Sequence, residues 1–229
     1  KYNNPVPGSP VLGRFNGNIA EVDWAFKDIP KKRYSYNYDG LNRLLNGIYS
    51  DPDMGTQNIN GERLEYDLNG NITRLYRSTK HGKLYTPVQI DDLTYHYENG
   101  LGNSNTLTSI SDASNNKSGY PGGGHAISYD INGNMTTMPD KDILQPITYN
   151  FLNLPTQIKQ STNTTNYIYR ADGVKLKKTY NLVNASGSKI INTEYLDGFQ
   201  YSTPNTEPIR KALEETDDAT MSARTAGNE

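Results

Sequence analysis

Three aspartates occupy the same place in a recurring pattern and are the first candidates for chemistry. Asp39, Asp67 and Asp130 each follow a tyrosine and precede a short run of Asn or Gly and an aliphatic residue. A carboxyl group placed in this way could act as a general acid or base. A catalytic group is needed once, however, whereas a residue that caps a turn is needed in every copy of a repeat. The pattern therefore predicts turn-forming aspartates and no catalytic residue.

The remaining candidates for metal binding or nucleophilic chemistry form no pattern. The histidines His81, His96 and His125 are too far apart in sequence for local metal ligation. The chain has no cysteine, which excludes disulfides, thiolate nucleophiles and cysteine-type zinc sites. Two acidic pairs in Pro-containing loops lack the Asp-x-Asx-x-Asx-Gly order of calcium loops; they are Asp51 with Asp53, and Asp140 with Asp142. We therefore expect no metal, no cofactor and no enzymatic activity.

The 18 tyrosines are the other side chains that could act directly. An exposed row of aromatic rings could bind a glycan by stacking on the faces of its sugar rings. The other interpretation is that the rings pack one repeat against the next, since their positions follow the repeat. The sequence favours packing and keeps glycan binding as the second hypothesis; the candidate row is Tyr36, Tyr38, Tyr66, Tyr95, Tyr97, Tyr129, Tyr149, Tyr167 and Tyr169.

Short β-hairpins, repeated along the chain, are the elements that would position these residues. The second tyrosine of each copy recurs at intervals of 20 to 32 residues, a period typical of repeat architectures. Alternating Tyr and β-branched residues on both sides of an Asn-Gly dipeptide predict two strands joined by a type I′ turn. A lone hairpin is marginally stable, so successive hairpins must pair into one long, coiling sheet. The predicted fold is all-β, and the repeat tyrosines are Tyr38, Tyr66, Tyr97, Tyr129, Tyr149 and Tyr169.

Composition and charge limit the possible partners of the chain. The 229 residues carry a net charge of −2 with no basic cluster, which argues against nucleic-acid binding. No apolar run reaches the ~20 residues of a membrane-spanning helix.

We expect residues 1–14 to be an extended leader, 15–201 the repeats, and 202–229 a polar, mostly disordered linker. Within the repeats, 104–124 is rich in Ser, Asn and Gly and is expected to be a flexible excursion.

The hairpin units closely resemble the YD repeat of the Rhs family, which also occurs in bacterial toxin shells and in teneurins. The resemblance rests on Tyr38-Asp39, Tyr66-Asp67 and Tyr129-Asp130, each followed by Asn or Gly and an aliphatic residue. The stretches 15–24 and 38–44 look most like Rhs proteins of the Bacteroidetes type. The resemblance spans residues 15–201, and it implies a β-ribbon that spirals into a hollow shell or part of one.

The same resemblance implies a role for the chain. It would be a structural segment, without an active site, of a large bacterial polypeptide that is secreted or held at the cell surface. Its partners would be an adjoining Rhs core, a C-terminal toxin cargo that the shell encloses or presents, and secretion machinery. The cleaving core of many family members has an Asp-Pro-x-Gly signature, whereas residues 51–55 read Asp-Pro-Asp-Met-Gly, one residue longer. We therefore expect no cleavage site here, and self-association through exposed strand edges. The alternative function is an extracellular adhesin with a glycan-binding tyrosine face.

Overall fold

The fold consists of antiparallel strands, as the sequence predicts. The computed structural model describes residues 1–27, 29–51, 59–81, 84–185 and 187–205. Within these ranges the chain forms fifteen β-strands, and its helical structure is a three-residue 3-10 turn at Pro139–Lys141. No helix in the same ranges is long and apolar enough to cross a membrane. The prediction of an all-β fold made of stacked hairpins is confirmed.

The chain divides into two compact units, Lys1–Ile127 (unit 1) and Ser128–Glu229 (unit 2). Unit 1 holds a seven-stranded sheet in which each strand pairs with the next one along the chain. This order is that of a β-meander, in which consecutive hairpins share their strands. The strands are β1 (Glu21–Phe26), β2 (Ile29–Tyr38), β3 (Leu44–Ser50), β4 (Glu62–Tyr66), β5 (Ile72–His81), β6 (Leu84–Tyr97) and β7 (Leu107–Asp112).

Unit 2 has the same nearest-neighbour order in a two-stranded and a six-stranded sheet. The Ile147 amide donates to the Thr136 carbonyl at 2.9 Å and connects the two sheets. The first sheet consists of β8 (Ser128–Tyr129) and β9 (Met135–Thr137). The second consists of β10 (Thr148–Tyr149), β11 (Pro155–Gln160), β12 (Asn163–Tyr169), β13 (Lys175–Asn184), β14 (Gly187–Leu196) and β15 (Phe199–Asn205).

The N-terminal residues 1–14 lie against the start of β1 and do not project from it. The Arg14 amide donates to the Tyr2 carbonyl at 2.8 Å, so this segment folds back on itself. The fully buried carboxylate of Glu21 accepts hydrogen bonds from the Val6 amide and the Ser9 hydroxyl. Burial raises the pKa of Glu21, but these two bonds and the nearby Arg33 outweigh it and hold the pKa below its usual value. The carboxylate therefore remains charged and fastens the segment.

The stretch 104–124 is bound to the sheet, so the prediction of an excursion is wrong. Its first part contains β7, and its last part returns to that strand, where the Gly124 amide donates to the Ile110 carbonyl at 2.6 Å. Between them, the buried Asp91 accepts a 2.6 Å hydrogen bond from the Tyr120 amide. A Cβ on Gly119 would lie 2.2 Å from the Ile90 carbonyl oxygen, so only glycine allows this close approach. The glycine-rich composition reflects close packing here rather than mobility.

Strand β15 continues to Asn205, past residue 201, where the sequence predicts the end of the repeats. The rest of the predicted linker, residues 206–229, lies outside the described residues, as do residues 52–55 of the Asp-Pro string.

Candidate functional site: the tyrosine–aspartate turns

In three of the repeats, an aspartate after the tyrosine holds the hairpin turn that follows it. In the second repeat, Asp67 Oδ1 accepts the Asn71 backbone amide at 2.8 Å and Oδ2 accepts the Asn71 side-chain amide at 3.0 Å. The backbone closes the same loop, since the Gly70 amide donates to the Asp67 carbonyl at 3.2 Å. One side chain thus satisfies amides on the far side of the turn, which the loop backbone alone would leave without partners.

The same arrangement recurs in both units. Asp39 Oδ1 accepts the amides of Leu41 and Arg43, both at 2.9 Å. In unit 2, Asp130 Oδ1 accepts the amides of Asn132 and Asn134, also at 2.9 Å. Asn150 occupies the position of these aspartates in its own repeat, and its side-chain oxygen accepts the amides of Leu152 at 2.9 Å and Leu154 at 3.0 Å. A neutral amide can therefore replace the carboxylate, which is what a turn former requires and a general base does not.

The turns are three-residue loops, so the prediction of type I′ turns at Asn-Gly is wrong for these repeats. Type I′ needs positive φ at both central residues. Here Gly70 has φ +91°, whereas Leu68 and Asn69 before it are not among the positive-φ residues. A two-residue turn with two positive φ values occurs once in the described residues, at Asp197 and Gly198. The other turn residues equivalent to Gly70 also have positive φ, and they are Asn42, Gly133, Asn153 and Gly173.

Hydrogen bonding keeps the turn aspartates ionised. The Arg43 amide lowers the pKa of Asp39, and the Asn134 side chain lowers that of Asp130. For Asp67, burial raises the pKa, but the bonds from Asn71 and Gly102 outweigh it, so the pKa is again below its usual value. A carboxylate held in its charged form accepts hydrogen bonds well and is a poor proton donor near neutral pH.

In five of the repeats, the tyrosine before the turn joins its hairpin to the previous one. The Tyr66 hydroxyl donates to the Leu44 carbonyl at 2.8 Å, and the Tyr97 hydroxyl donates to the Ile72 carbonyl at 2.8 Å. Each acceptor is the first residue after the preceding turn. The same kind of bond joins Tyr38 to Ile19 at 2.8 Å, Tyr149 to Met135 at 2.6 Å, and Tyr169 to Pro155 at 3.0 Å. We call this bond the tyrosine clamp.

The pairing register of the sheet shifts at each repeat tyrosine. In five of the six hairpins the shift accompanies a three-residue loop with a positive-φ residue, which leaves one strand a residue out of step. The hairpin after Tyr97 has a longer loop, in which the Glu98 amide donates to the Thr106 carbonyl. Burial raises the pKa of five of these phenols, so they stay protonated and can donate. Tyr129 is half-buried at the same position on β8. The shifts occur at Tyr38, Tyr66, Tyr97, Tyr129, Tyr149 and Tyr169.

Arg43 links two successive turns, and sequence reasoning missed it. Its guanidinium pairs with Asp39 Oδ2 at 2.6 Å in its own turn and donates to the Asp67 carbonyl at 3.1 Å in the next. It also lies over the Tyr66 ring, 4.6 Å from the centroid. Arg14 covers the Tyr38 ring in the same way at 5.0 Å. The sequence indicates this role only through an arginine at the last position of a turn, and that position can be recognised only once the turn geometry is known.

The aromatic rings on β1–β3 contact one another, some with nearly parallel planes and some tilted. The Tyr34 ring centroid lies 5.8 Å from that of Trp24 and 5.9 Å from that of Tyr36, with the ring planes within 21° and 15° of parallel. Tyr49 adds a tilted contact with Tyr34 at 5.3 Å. Ring faces that touch other rings or guanidinium groups are not available for stacking on a sugar.

The other candidate residues lie apart from one another. His96 pairs with Ser111 at 2.9 Å on an exposed surface. Asp51 is buried, and it accepts from Tyr49 and pairs with Lys32 at 3.1 Å. Among the residues that the structure describes, no three His, Asp or Glu side chains come close enough together to hold a metal ion.

Comparison with known proteins gives only distant structural similarity. No protein-family profile and no curated protein matches the chain. A crystal structure of the TcdB2–TccC3–Cdc42 complex matches at a TM-score of 0.40 and 14% identity over 78% of this chain. The Tc holotoxin pore of Photorhabdus luminescens with a TccC3 mutation matches at 0.39 and 14%. The chain spans 12% of the length of each matched chain. Similarity at this level identifies neither a family nor a function.

Proposed function

We propose that the chain is a structural, non-catalytic segment of a YD-repeat shell of the Rhs type. In this proposal it encloses or presents a toxin, or another part of a large polypeptide that is secreted or held at the bacterial surface. Its partners are then the adjoining Rhs core and the C-terminal cargo of the same polypeptide, together with its secretion machinery. The observation that carries the proposal is the tyrosine clamp, repeated with the same geometry in both units.

The clamp supports this function because it extends a sheet one hairpin at a time. Each hairpin supplies a tyrosine hydroxyl to the hairpin before it and a backbone carbonyl to the hairpin after it, as Tyr66 and Ile72 do on either side of the Asp67 turn. A unit with one donor and one acceptor can be repeated without limit, as in other repeat proteins whose units contact only their neighbours. A wall of a container needs this property, whereas an active site does not.

The chemistry of the repeat residues supports a non-catalytic role. The aspartates are ionised and already accept the turn amides, and the phenols already donate to carbonyls. Asn150 fills the aspartate position without loss of the turn. None of these positions holds a group that is poised to transfer a proton.

A glycan-binding adhesin is the second candidate function. Clustered, solvent-exposed tyrosine rings on one face of the sheet would favour it. The faces of Tyr38 and Tyr66 are covered by Arg14 and Arg43, and Tyr34 and Tyr36 cover each other. The shell therefore accounts for more of the ring contacts than the adhesin does.

Limited proteolysis of the complete polypeptide tests the shell. We expect the region after the repeats to be resistant to protease in the intact protein, and to become sensitive when Tyr66→Ala and Tyr97→Ala weaken two clamps. The matched control is Tyr201→Ala, because Tyr201 is 59% exposed on β15 and lies outside the clamps. A downstream region that is cut equally fast with intact and with weakened repeats would refute the proposal. Glycan binding that is lost with the β1–β3 tyrosines would support the adhesin instead.

The outer edge of β15 is where the proposal places a further strand. In the described residues this edge has no strand partner, and Phe199 is 68% exposed beside it. Open edges of this kind pair with other chains. We expect the isolated chain to self-associate as its concentration rises, and sedimentation velocity measures this. The variant Thr203→Lys should reduce the association, because a charged side chain on an edge strand disfavours pairing with another chain. A wild-type chain that stays monomeric at high concentration would contradict the expected self-association.

A further inference from the structure

The chain contains six Asn-Gly sequences, and these differ in how the glycine amide is held. In an Asn-Gly sequence the glycine nitrogen can attack the side-chain carbonyl carbon of the asparagine. A bond forms between the glycine nitrogen and Cγ, the Cγ–Nδ2 bond breaks, and ammonia leaves with the amide proton. Water then opens the succinimide ring to aspartate or isoaspartate. The sequences start at Asn16, Asn46, Asn60, Asn69, Asn99 and Asn132.

Five of the six glycine amides are held by the fold. The Gly70 and Gly133 amides donate to the carbonyls of Asp67 at 3.2 Å and Asp130 at 3.0 Å. The Gly100 amide donates to the Tyr97 carbonyl at 3.2 Å, and the Gly61 amide donates to the Ser78 hydroxyl oxygen at 3.2 Å. Gly47 lies inside β3, paired with β2 on one side and β4 on the other. In each case the nucleophilic nitrogen must give up structure before it can reach Cγ.

The Asn16-Gly17 sequence lacks this protection. In the described part of the chain the Gly17 amide donates no hydrogen bond, and both residues are exposed. Nothing lies within 4 Å of the place where a Cβ on Gly17 would be, so the loop has room to rearrange. In addition, Asn16 Oδ1 accepts the Asn18 amide at 3.1 Å, and this bond draws electrons from Cγ and makes it a better target.

Asn16 also connects the N-terminal segment to the first repeat turn. Its Nδ2 donates to Asn42 Oδ1 at 2.5 Å, and Arg14 donates to the same oxygen at 3.3 Å. Deamidation replaces this Nδ2 donor with a carboxylate oxygen facing the Asn42 oxygen, and the isoaspartate product also lengthens the backbone by one carbon. We propose that Asn16 is a site of spontaneous deamidation, and that the reaction releases the turn at 15–19 from the turn at 39–43.

Peptide mapping of the aged protein tests the reaction, with the other sequences as internal controls. Trypsin cuts after Arg14, Lys27, Arg43, Arg63 and Arg74, which puts Asn16, Asn46 and Asn69 in separate peptides. Since a hydrogen bond on the nitrogen must break first at the other sites, we expect Asn16 to deamidate about five to ten times faster than Asn69. Equal rates at Asn16 and Asn69, or no reaction at Asn16, would overturn the proposal. The variant Asn16→Gln should abolish the fast phase.

The released turn is tested separately with Asn16→Asp, which mimics one product. We expect trypsin to cut the native protein after Arg14 several times faster in this variant than in the wild type. Asn115→Asp adds the same charge in an exposed loop of unit 1 and should leave that rate unchanged. Equal cutting of Asn16→Asp and the wild type would refute the release.

Discussion

Unit 1 and unit 2 use the same turns and clamps but differ in what lies over their sheets. Among the described residues, eight of the nine buried apolar side chains belong to unit 1, and unit 2 contributes only Ile147. The six-stranded sheet of unit 2 exposes apolar residues such as Ile168 and Phe199. The repeated turn therefore does not depend on a buried core, since its hydrogen bonds are the same in a covered sheet and in an open one.

Two segments of unit 1, which we call covers, lie against its sheet. The segment 1–14 lies at β1, held by Glu21, and the segment 113–124 lies over β6 and β7, held by Asp91. Each cover is fastened by a fully buried carboxylate, whereas in unit 2 polar pairs such as Gln157 with Asn166 occupy the sheet surface. A polar surface of this kind can stay in contact with water or with a polar neighbour, so unit 2 depends mainly on its ladder of strands and its clamps.

Truncation of an apolar residue should have the largest effect, and only in unit 1. Leu93 is 3% exposed on β6, so Leu93→Ala is expected to cost about 2 to 5 kcal/mol of unfolding free energy through lost contacts and a cavity. In unit 2, Ile168 is 56% exposed, and Ile168→Ala should cost under about 1 kcal/mol. Urea denaturation, with hydrogen exchange to assign the loss to a unit, measures both. Comparable losses would show that unit 2 has a core of its own.

Removal of a buried carboxylate should come next. Asp91→Ala leaves the Tyr120 amide without its acceptor and removes the 2.6 Å partner of Arg77, so we expect a cost of about 2 to 4 kcal/mol. The segment 113–124 should then be cut at Lys117 by trypsin. Asp91→Asn keeps an acceptor for the Tyr120 amide and serves as the control, with a smaller loss. If both variants leave Lys117 protected, another contact holds the cover.

Loss of one clamp should have a smaller effect that is equal in the two units. Tyr66→Phe and Tyr169→Phe each remove one hydroxyl and keep the ring, so each should cost about 1 kcal/mol. Tyr201→Phe, outside the clamps, is the control. A much larger loss in unit 2 would mean that the clamp compensates for the missing core, which would replace our view that it is independent of the core.

The sequence was sufficient to predict the parts of the fold that depend on neighbours along the chain. The Tyr-Asp repeats, the hairpins and the all-β class follow from residue types at short spacing, and the structure has them. The turn type was wrong because the Asn-Gly signal favours a two-residue turn, whereas the Asp67 carboxylate reaches the amide four residues ahead and needs a longer loop.

The contacts that the sequence could not predict join residues far apart in the chain. Glu21 holds Val6, Asp91 holds Tyr120, and Arg43 reaches Asp67. Nothing in the local sequence distinguishes these charged residues from others on exposed strands. Their partners are fixed by which segment folds over which face of the sheet, and that depends on the packing of the whole unit.

The smallest predicted effect concerns acid and the charge of the turn aspartates. The pKa values of Asp67 and Asp130 are lowered in the folded state, so both groups stabilise it above the usual aspartate pKa of about 3.9 and lose this contribution as the pH falls through the lowered value. The Asn150 turn has no group that titrates. We therefore expect Asp67→Asn with Asp130→Asn to lower the melting temperature slightly at neutral pH and by nearly as much at pH 4, and to leave it unchanged only once the pH falls below the lowered pKa values.

The test is the melting temperature from circular dichroism between acid and neutral pH. Glu21 and Asp172 also have lowered pKa values and remain in the double variant, so its acid dependence should be weaker than that of the wild type but not absent. Asn150→Asp is the reciprocal change, and it should add acid dependence to unit 2 because the new carboxylate would accept the same two amides. If the double variant follows the wild-type profile, the turns are held by their geometry and the carboxylate charge contributes nothing, in unit 1 as in unit 2.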